Sequence, residues 1–193
     1  WAFGNMAALE SALLRYTNKT YSLSVNNMQN LMLKFSKYGS DTIEEGGNPF
    51  TAIAYLIDWL GVFDGEYEEY DEMGKISQFF GTTDNIHIQN VVAIPPLRTD
   101  ADRNLLKNAL INYGAVAVSH CADFNESKYF NKTSSAQYCY DQTDSTHRVC
   151  IVGWDDNYSR YNFLKTPKGD GAWIVKNSWG TGWGDEGYFY MSY

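Results

Sequence analysis

At 193 residues the chain can bury one substantial core or two small lobes and little more. With 44% apolar and 16% aromatic residues it is not a disordered chain, because disordered segments are poor in aromatics. The net charge of −8 speaks against an electrostatic footprint for nucleic acid or an anionic membrane surface, and no run of about 18 apolar residues is present that would span a bilayer.

The chain opens at Trp1 already inside a helical pattern, so it reads as a processed or excised piece of a longer protein. Ala2, Met6, Leu9, Leu13 and Tyr16 recur at steps of four and three, which predicts a helix burying that face. Whatever precedes Trp1 would lie at the N-terminus of this helix, where unpaired N–H groups and the dipole favour an anion. Leu23 and Ser24 open a second helix with Ser24 as N-cap and Val25, Met28, Leu31 and Met32 as its apolar stripe. A polar loop through Glu44, Glu45, Gly46 and Gly47 leads to Asn48 and Pro49, which read as N-cap and first position of a third helix. That helix carries Phe50, Ile53, Ala54, Ile57 and Leu60 and is expected to stop at Gly61.

The acidic stretch from Glu66 to Glu72 reads as a solvated surface loop and is assigned no chemistry. Val91 to Ile94 reads as a strand, and Pro95-Pro96 as an extended break where the chain crosses between lobes. A fourth helix is predicted from Asp100 to Tyr113, with Leu105, Leu106, Ala109 and Leu110 inward and Gly114 as its stop. Short β-favouring runs follow at Ala115–Ser119, Val149–Trp154, Ala172–Lys176 and Gly187–Met191, separated by turn-rich loops. Helices first and strands second indicate an α+β protein.

Three cysteines, Cys121, Cys139 and Cys150, are too few for a disulfide-built scaffold. Cys150 lies in an apolar run and reads as a small buried hydrophobe, whereas Cys121 and Cys139 flank a polar loop and can pair in an oxidising compartment. Sequons at Asn18, Asn125, Asn131 and Asn157 matter only on a eukaryotic secretory route.

The densest chemistry lies in Trp173-Ile-Val-Lys-Asn177-Ser-Trp179-Gly-Thr-Gly-Trp183-Gly-Asp-Glu-Gly187, which combines one amide, three indoles and several glycines. His147 starts one strand and Asn177 ends another. An amide oxygen accepting from one imidazole N–H fixes the tautomer and aims the second nitrogen, as general base chemistry requires. His87 and His120 have no comparable partner in the sequence and read as structural residues. No His/Cys/carboxylate cluster has metal-ligand spacing, and the glycines of 180–187 do not form a phosphate-cradling motif. The pair lacks a nucleophile, since none of the three cysteines has a reactive context and no serine sits in a Gly-x-Ser-x-Gly elbow.

The order and spacing of Trp1-Ala-Phe-Gly, Leu23-Ser24, Gly46-Gly47-Asn48-Pro49, Gly114-Ala-Val-Ala-Val118, Thr146-His147-Arg148 and Lys176-Asn177-Ser-Trp179-Gly resemble the papain-like cysteine peptidases over the whole length. The resemblance implies an α+β, papain-like two-lobe fold: a helical lobe over about 1–95, an antiparallel β-barrel-like lobe over about 96–193, and an active-site cleft between them. It implies peptide-bond hydrolysis by a thiolate–imidazolium pair through a thioester intermediate, with no cofactor and no metal. The nucleophilic cysteine is expected immediately before Trp1, so the chain as it stands is expected to be inactive.

By the same carry-over, His147, Asn177 and Trp179 are the catalytic residues, with Trp179 covering the His147–Asn177 hydrogen bond. Gly46, Gly47, Asn48, Pro49, Ser119, Thr146 and Arg148 are the substrate-binding ones. Arg148 departs from the family, which usually carries a small residue there, and implies a preference for acidic or polar substrate side chains if it faces the pocket. Expected partners are a polypeptide substrate and a propeptide or protein inhibitor, with no nucleic acid. The helical lobe lacks the cysteines with which plant and animal relatives bridge it, which resembles microbial, often exported, members and implies an extracytoplasmic location. The alternative is a non-catalytic papain-fold module that binds peptides or partners.

Overall fold

The computed structural model describes residues 1–34, 39, 42, 46–71, 73–74, 86–122, 128–142 and 144–193. The expectations for Glu44, Glu45, Glu72 and Asn125 therefore lie outside the described residues. Two compact units are present, Trp1–Ala93 and Ile94–Tyr193.

The first unit holds helices α1 (Ala2–Thr17), α2 (Val25–Leu31) and α3 (Pro49–Ile57). Its core gathers Ala2, Met6, Met28, Leu31, Ala52, Tyr55 and Val62. Ala2 and Met6 of α1 are buried as the periodicity requires, but Tyr16 is 68% exposed, because the last turn of α1 runs past the edge of this core. Ser24 caps α2 by accepting from Asn27 N–H at 3.0 Å, and Asn48 Oδ1 caps α3 by accepting from the N–H groups of Phe50 and Thr51.

The inward face of α3 is not the predicted one. Thr51, Ala52 and Tyr55 are buried, whereas Phe50 and Ile57 point outward and the helix ends at Ile57. The reason is polar: Tyr55 donates its hydroxyl to Asn27 Oδ1 at 2.5 Å, which turns that face toward the asparagines of α2. Gly61 is not a helix stop, and a Cβ there would lie 2.6 Å from the Phe63 ring and 2.7 Å from Asn27 Oδ1. Glu68, within the stretch expected to be solvated, is anchored: its carboxylate accepts from Asn27 Nδ2 and Asn30 Nδ2 at 3.3 and 2.9 Å. Asn26 donates through Nδ2 to Glu69 O at 2.6 Å, so three buried asparagines on one short helix hold the acidic segment in place. Val91–Ile94 forms no strand, and Val91 and Val92 are exposed, since β-favouring residues make a strand only where a ladder partner is available.

The second unit begins with α4 (Asp100–Tyr113), started by a reciprocal capping box between Thr99 and Asp102 and ended at Gly114 with φ 98°. Leu106, Ala109 and Leu110 face inward, while Leu105, one position off that stripe, is 46% exposed. Six strands follow: β1 (Val116–His120), β2 (Phe130–Asn131), β3 (Ala136–Gln137), β4 (His147–Asp155), β5 (Ala172–Lys176) and β6 (Tyr188–Ser192). They form one sheet in the order β1-β4-β5-β6-β3-β2. Four pairings are antiparallel, but β3 runs parallel to β6, so the sheet is mixed where an antiparallel one was expected. The two-residue β2 and β3 are too short to show a period-two pattern in the sequence. Nine-residue β4 lies between β1 and β5, and its Val149 and Ile151 pack with Leu106, Phe130, Trp173, Val175 and Phe189. Cys150, on the same strand, is 1% exposed, as its apolar context implies. Among the described residues no helix is long and apolar enough to cross a membrane.

Candidate active site

The register of β4 against β5 pairs Cys150 with Lys176, which brings the first residue of β4, His147, near the chain leaving β5 at Asn177. His147 Nε2 lies 2.9 Å from Asn177 Oδ1, and the Ser178 N–H donates to the same atom at 2.8 Å. Two donors on one atom require it to be the amide oxygen, so Nε2 carries a proton and the lone pair of the neutral ring sits on Nδ1. Asn177 is buried and its own N–H donates to Gly187 O at 3.0 Å, which fixes the amide against the following turn. Burial pulls the His147 pKa below its ordinary value, and the bond to Asn177 opposes this by stabilising the protonated ring.

The loop after Asn177 is an aromatic scaffold. The Trp179 ring lies 5.1 Å from His147 at a tilt of 33°, and Trp183 meets Trp179 edge-on at 5.1 Å. Trp183 in turn stacks on Phe130 at 5.3 Å and meets Phe189 edge-on at 5.7 Å, which ties the loop to the core. Closing this loop needs two glycines in particular. Gly184 has φ 63° and a Cβ there would fall 2.4 Å from Tyr188 O, while Gly187, at φ 91°, donates its N–H to Trp183 O at 2.7 Å. Trp179 itself stays 46% exposed.

Beside His147, Thr146 donates its N–H to His120 O and accepts on Oγ1 from Ala122 N–H, both at 3.0 Å. Arg148 donates through Nη1 to Ser119 Oγ at 3.0 Å, its partner across the β1/β4 ladder. Thr146, His147, Arg148 and Ser119 therefore form one continuous patch with Asn177 and Trp179. In the first unit, Gly46 has open space where a Cβ would go, whereas a Cβ on Gly47 would strike the Trp1 indole at 2.5 Å. Gly47 is thus needed for packing on Trp1. Asn48 and Pro49 start α3 and both are exposed.

His120, read from the sequence as a structural residue without a partner, is the ladder partner of His147, with ring centroids 5.8 Å apart. Burial, and secondarily the charge of His147, push its pKa down to about 4. The signal for it was register: His120 follows Ser119 in β1 as His147 precedes Arg148 in β4, and the antiparallel pairing that joins one pair also joins the other. His87 stacks on Trp59 at 4.5 Å and takes no part in this patch.

A family model described as papain family cysteine protease matches residues 1–193. A cathepsin L-like peptidase of Aedes aegypti is 30% identical over 196 residues, covering 100% of this chain and 52% of the relative. Pro-cathepsin H of Mus musculus is 30% identical over 98% of this chain and 52% of its own length. The chain thus spans about half the length of these relatives. Among solved structures, the cysteine protease and lectin-like domains of Cwp84, a surface layer associated protein of Clostridium difficile, superpose with a TM-score of 0.81 at 32% identity. They cover 100% of this chain and 42% of that one. The bromelain protease of Ananas comosus shares the fold at a TM-score of 0.71 and 24% identity, covering 100% and 78%.

Proposed function

Because the chain belongs to the papain family of cysteine proteases, we propose that residues 1–193 are one peptidase domain whose parent protein hydrolyses peptide bonds through a thioester acyl-enzyme. The observation that carries this reading is the pair of N–H groups on Asn177 Oδ1, from His147 Nε2 and Ser178. A general base needs its tautomer fixed so that the free nitrogen faces the proton it takes. With Nε2 committed to the amide, His147 Nδ1 takes the proton of a thiol, the imidazolium stabilises the thiolate, and the same proton later passes to the leaving amine. Asn177 becomes a stronger partner once the ring is charged, because a charge-assisted hydrogen bond is stronger than a neutral one. Trp179 and Trp183 hold this bond beneath aromatic surface.

The nucleophile in this proposal is a cysteine immediately before Trp1 in the parent, and the 193-residue chain alone does not turn over substrate. Supporting this is the position itself, since it directly precedes the N-terminus of the sixteen-residue helix α1, where free N–H groups and the dipole favour a thiolate. Gly46, Gly47, Asn48 and Pro49 of the first unit, and Ser119, Thr146 and Arg148 of the second, recognise the extended polypeptide. A propeptide or protein inhibitor uses the same residues. All three cysteines lie after residue 120, leaving the helical unit without any, which supports a microbial member acting outside the cytoplasm.

Treating the full-length parent with an epoxide that alkylates active thiols, then mapping the adduct, tests the reading. The adduct is expected on the residue preceding Trp1 and should be lost when that cysteine is replaced by alanine. Another residue type at that position, or an unlabelled cysteine in the folded parent, would favour a binding module instead.

A further inference from the structure

Cys121 and Cys139 lie at opposite margins of the sheet: Cys121 immediately follows edge strand β1, and Cys139 lies two residues beyond the end of β3. The structure nevertheless brings them together. Cys139 Sγ donates to the Cys121 carbonyl oxygen at 3.5 Å, and Gln137 Nε2 donates to the same oxygen at 3.1 Å. Cys121 Sγ donates to Gln142 Oε1 at 2.9 Å. Both cysteines line one cavity of about 150 Å³, together with His120 and Gln137. Among the described residues no group of three or more His, Cys, Asp or Glu side chains is arranged to hold a metal ion.

We propose that Cys121 and Cys139 form a redox-active dithiol whose disulfide closes the sheet behind His147. Cys139 is the more exposed of the two and is the entry thiol. As thiolate it attacks one sulfur of a low-molecular-weight disulfide, forming a mixed disulfide and releasing one small thiol. Cys121 Sγ then leaves Gln142 and attacks Cys139 Sγ, forming the Cys121–Cys139 bond and releasing the second small thiol. Two cysteine thiols are oxidised, one small disulfide is reduced, and the two protons leave with the released thiols. An oxidising compartment keeps the pair closed and a reducing one keeps it open.

The bond bears on the active-site patch because Cys121 sits between the two residues that hold Thr146. His120 O accepts from Thr146 N–H on one side, and Ala122 N–H donates to Thr146 Oγ1 on the other. Tying Cys121 to β3 therefore ties down the turn from which His147 projects. Cys150, buried at the centre of β4, is the internal control that should not react.

The test is incubation of the folded protein with oxidised glutathione, alkylation of the remaining thiols, digestion and mass analysis. A peptide cross-linked between Cys121 and Cys139 is expected, with Cys150 left as an unoxidised thiol. In Cys121→Ser, Cys139 should stop at the glutathione adduct. Cys121 and Cys139 both still alkylatable, or separate adducts without a cross-link, would overturn the proposal. Amide hydrogen exchange of the cross-linked form should slow at Thr146 by about tenfold; an unchanged rate would sink the link to His147. None of these readouts depends on peptidase activity, so failure here and failure of the peptidase reading remain distinct.

Discussion

His120 and His147 face each other across the β1/β4 ladder with their rings 5.8 Å apart, and burial lowers the pKa of both. In each ring burial outweighs hydrogen bonds that stabilise the charged form, from Asn177 for His147 and from Cys121 and Gln137 for His120, whose pKa falls to about 4. Two imidazolium groups this close repel one another, so the second proton is the disfavoured one.

Acid lability follows from His120. Its folded-state pKa of about 4 lies below its ordinary value of 6.5. The unfolded chain therefore binds the extra proton first as pH falls. The stability it contributes is fully present above about pH 6.5 and is lost progressively as pH drops toward 4, up to roughly 3 kcal/mol. Urea-unfolding midpoints measured from pH 7 to pH 4 should fall steeply in the wild type and less so in His120→Leu. Parallel pH profiles would mean that His120 is not the group responsible.

In the proposed mechanism the amide of Asn177 orients His147 rather than supplying the proton. In an active parent, Asn177→Ala should lower kcat/KM by roughly 10- to 150-fold, the equivalent of losing one hydrogen bond to a charged group. His147→Ala should remove at least about 100-fold, because it deletes general acid–base catalysis altogether. Equal losses in the two variants would assign proton transfer and orientation to one unit and would contradict this division of labour.

The indole loop depends on backbone conformation at Gly184. With φ 63° and a Cβ position 2.4 Å from Tyr188 O, Gly184→Ala should destabilise the protein by about 1–3 kcal/mol, read as a drop in thermal midpoint. Gly182 lies two residues earlier and has open space around its Cβ position. Gly182→Ala should change the midpoint little. Similar losses in both variants would show that the loop is sensitive to any side chain and that Gly184 has no special role.

The N-caps of α2 and α3 and the stop of α4 were legible in the sequence because Ser24, Asn48-Pro49 and Gly114 act through bonds within a few residues of themselves, whereas the Thr99 cap of α4 was not read. Strand β5 was read at its observed bounds, since Ala172–Lys176 is flanked by turn residues. What was not legible came from partners distant in sequence. The inward face of α3 is set by the hydroxyl of Tyr55 meeting Asn27 from another helix, and apolar periodicity carries no record of that bond. Glu68 is likewise anchored by asparagines about forty positions earlier. In the site, Asn177 and Trp179 stand out in one dense local motif and His147 was singled out at the start of another strand, but His120 was passed over because only strand register places it beside His147.

Arg148 is the residue through which substrate choice should be read. It stands half-buried beside His147 and donates through Nη1 to exposed Ser119 across the ladder. A guanidinium pairs with a carboxylate in planar, two-point geometry, which a lysine does not reproduce. Profiling of the active parent with a peptide library should show enrichment of Asp or Glu at one position on the acyl side of the cut. Arg148→Ala should erase that enrichment by about tenfold or more in relative kcat/KM, the value of one charge-assisted hydrogen bond. Ser119→Ala should weaken it less, because it loosens the guanidinium without removing it. An aliphatic or aromatic preference in the wild type, unchanged in Arg148→Ala, would show that Arg148 faces away from the substrate and serves the β1/β4 ladder alone.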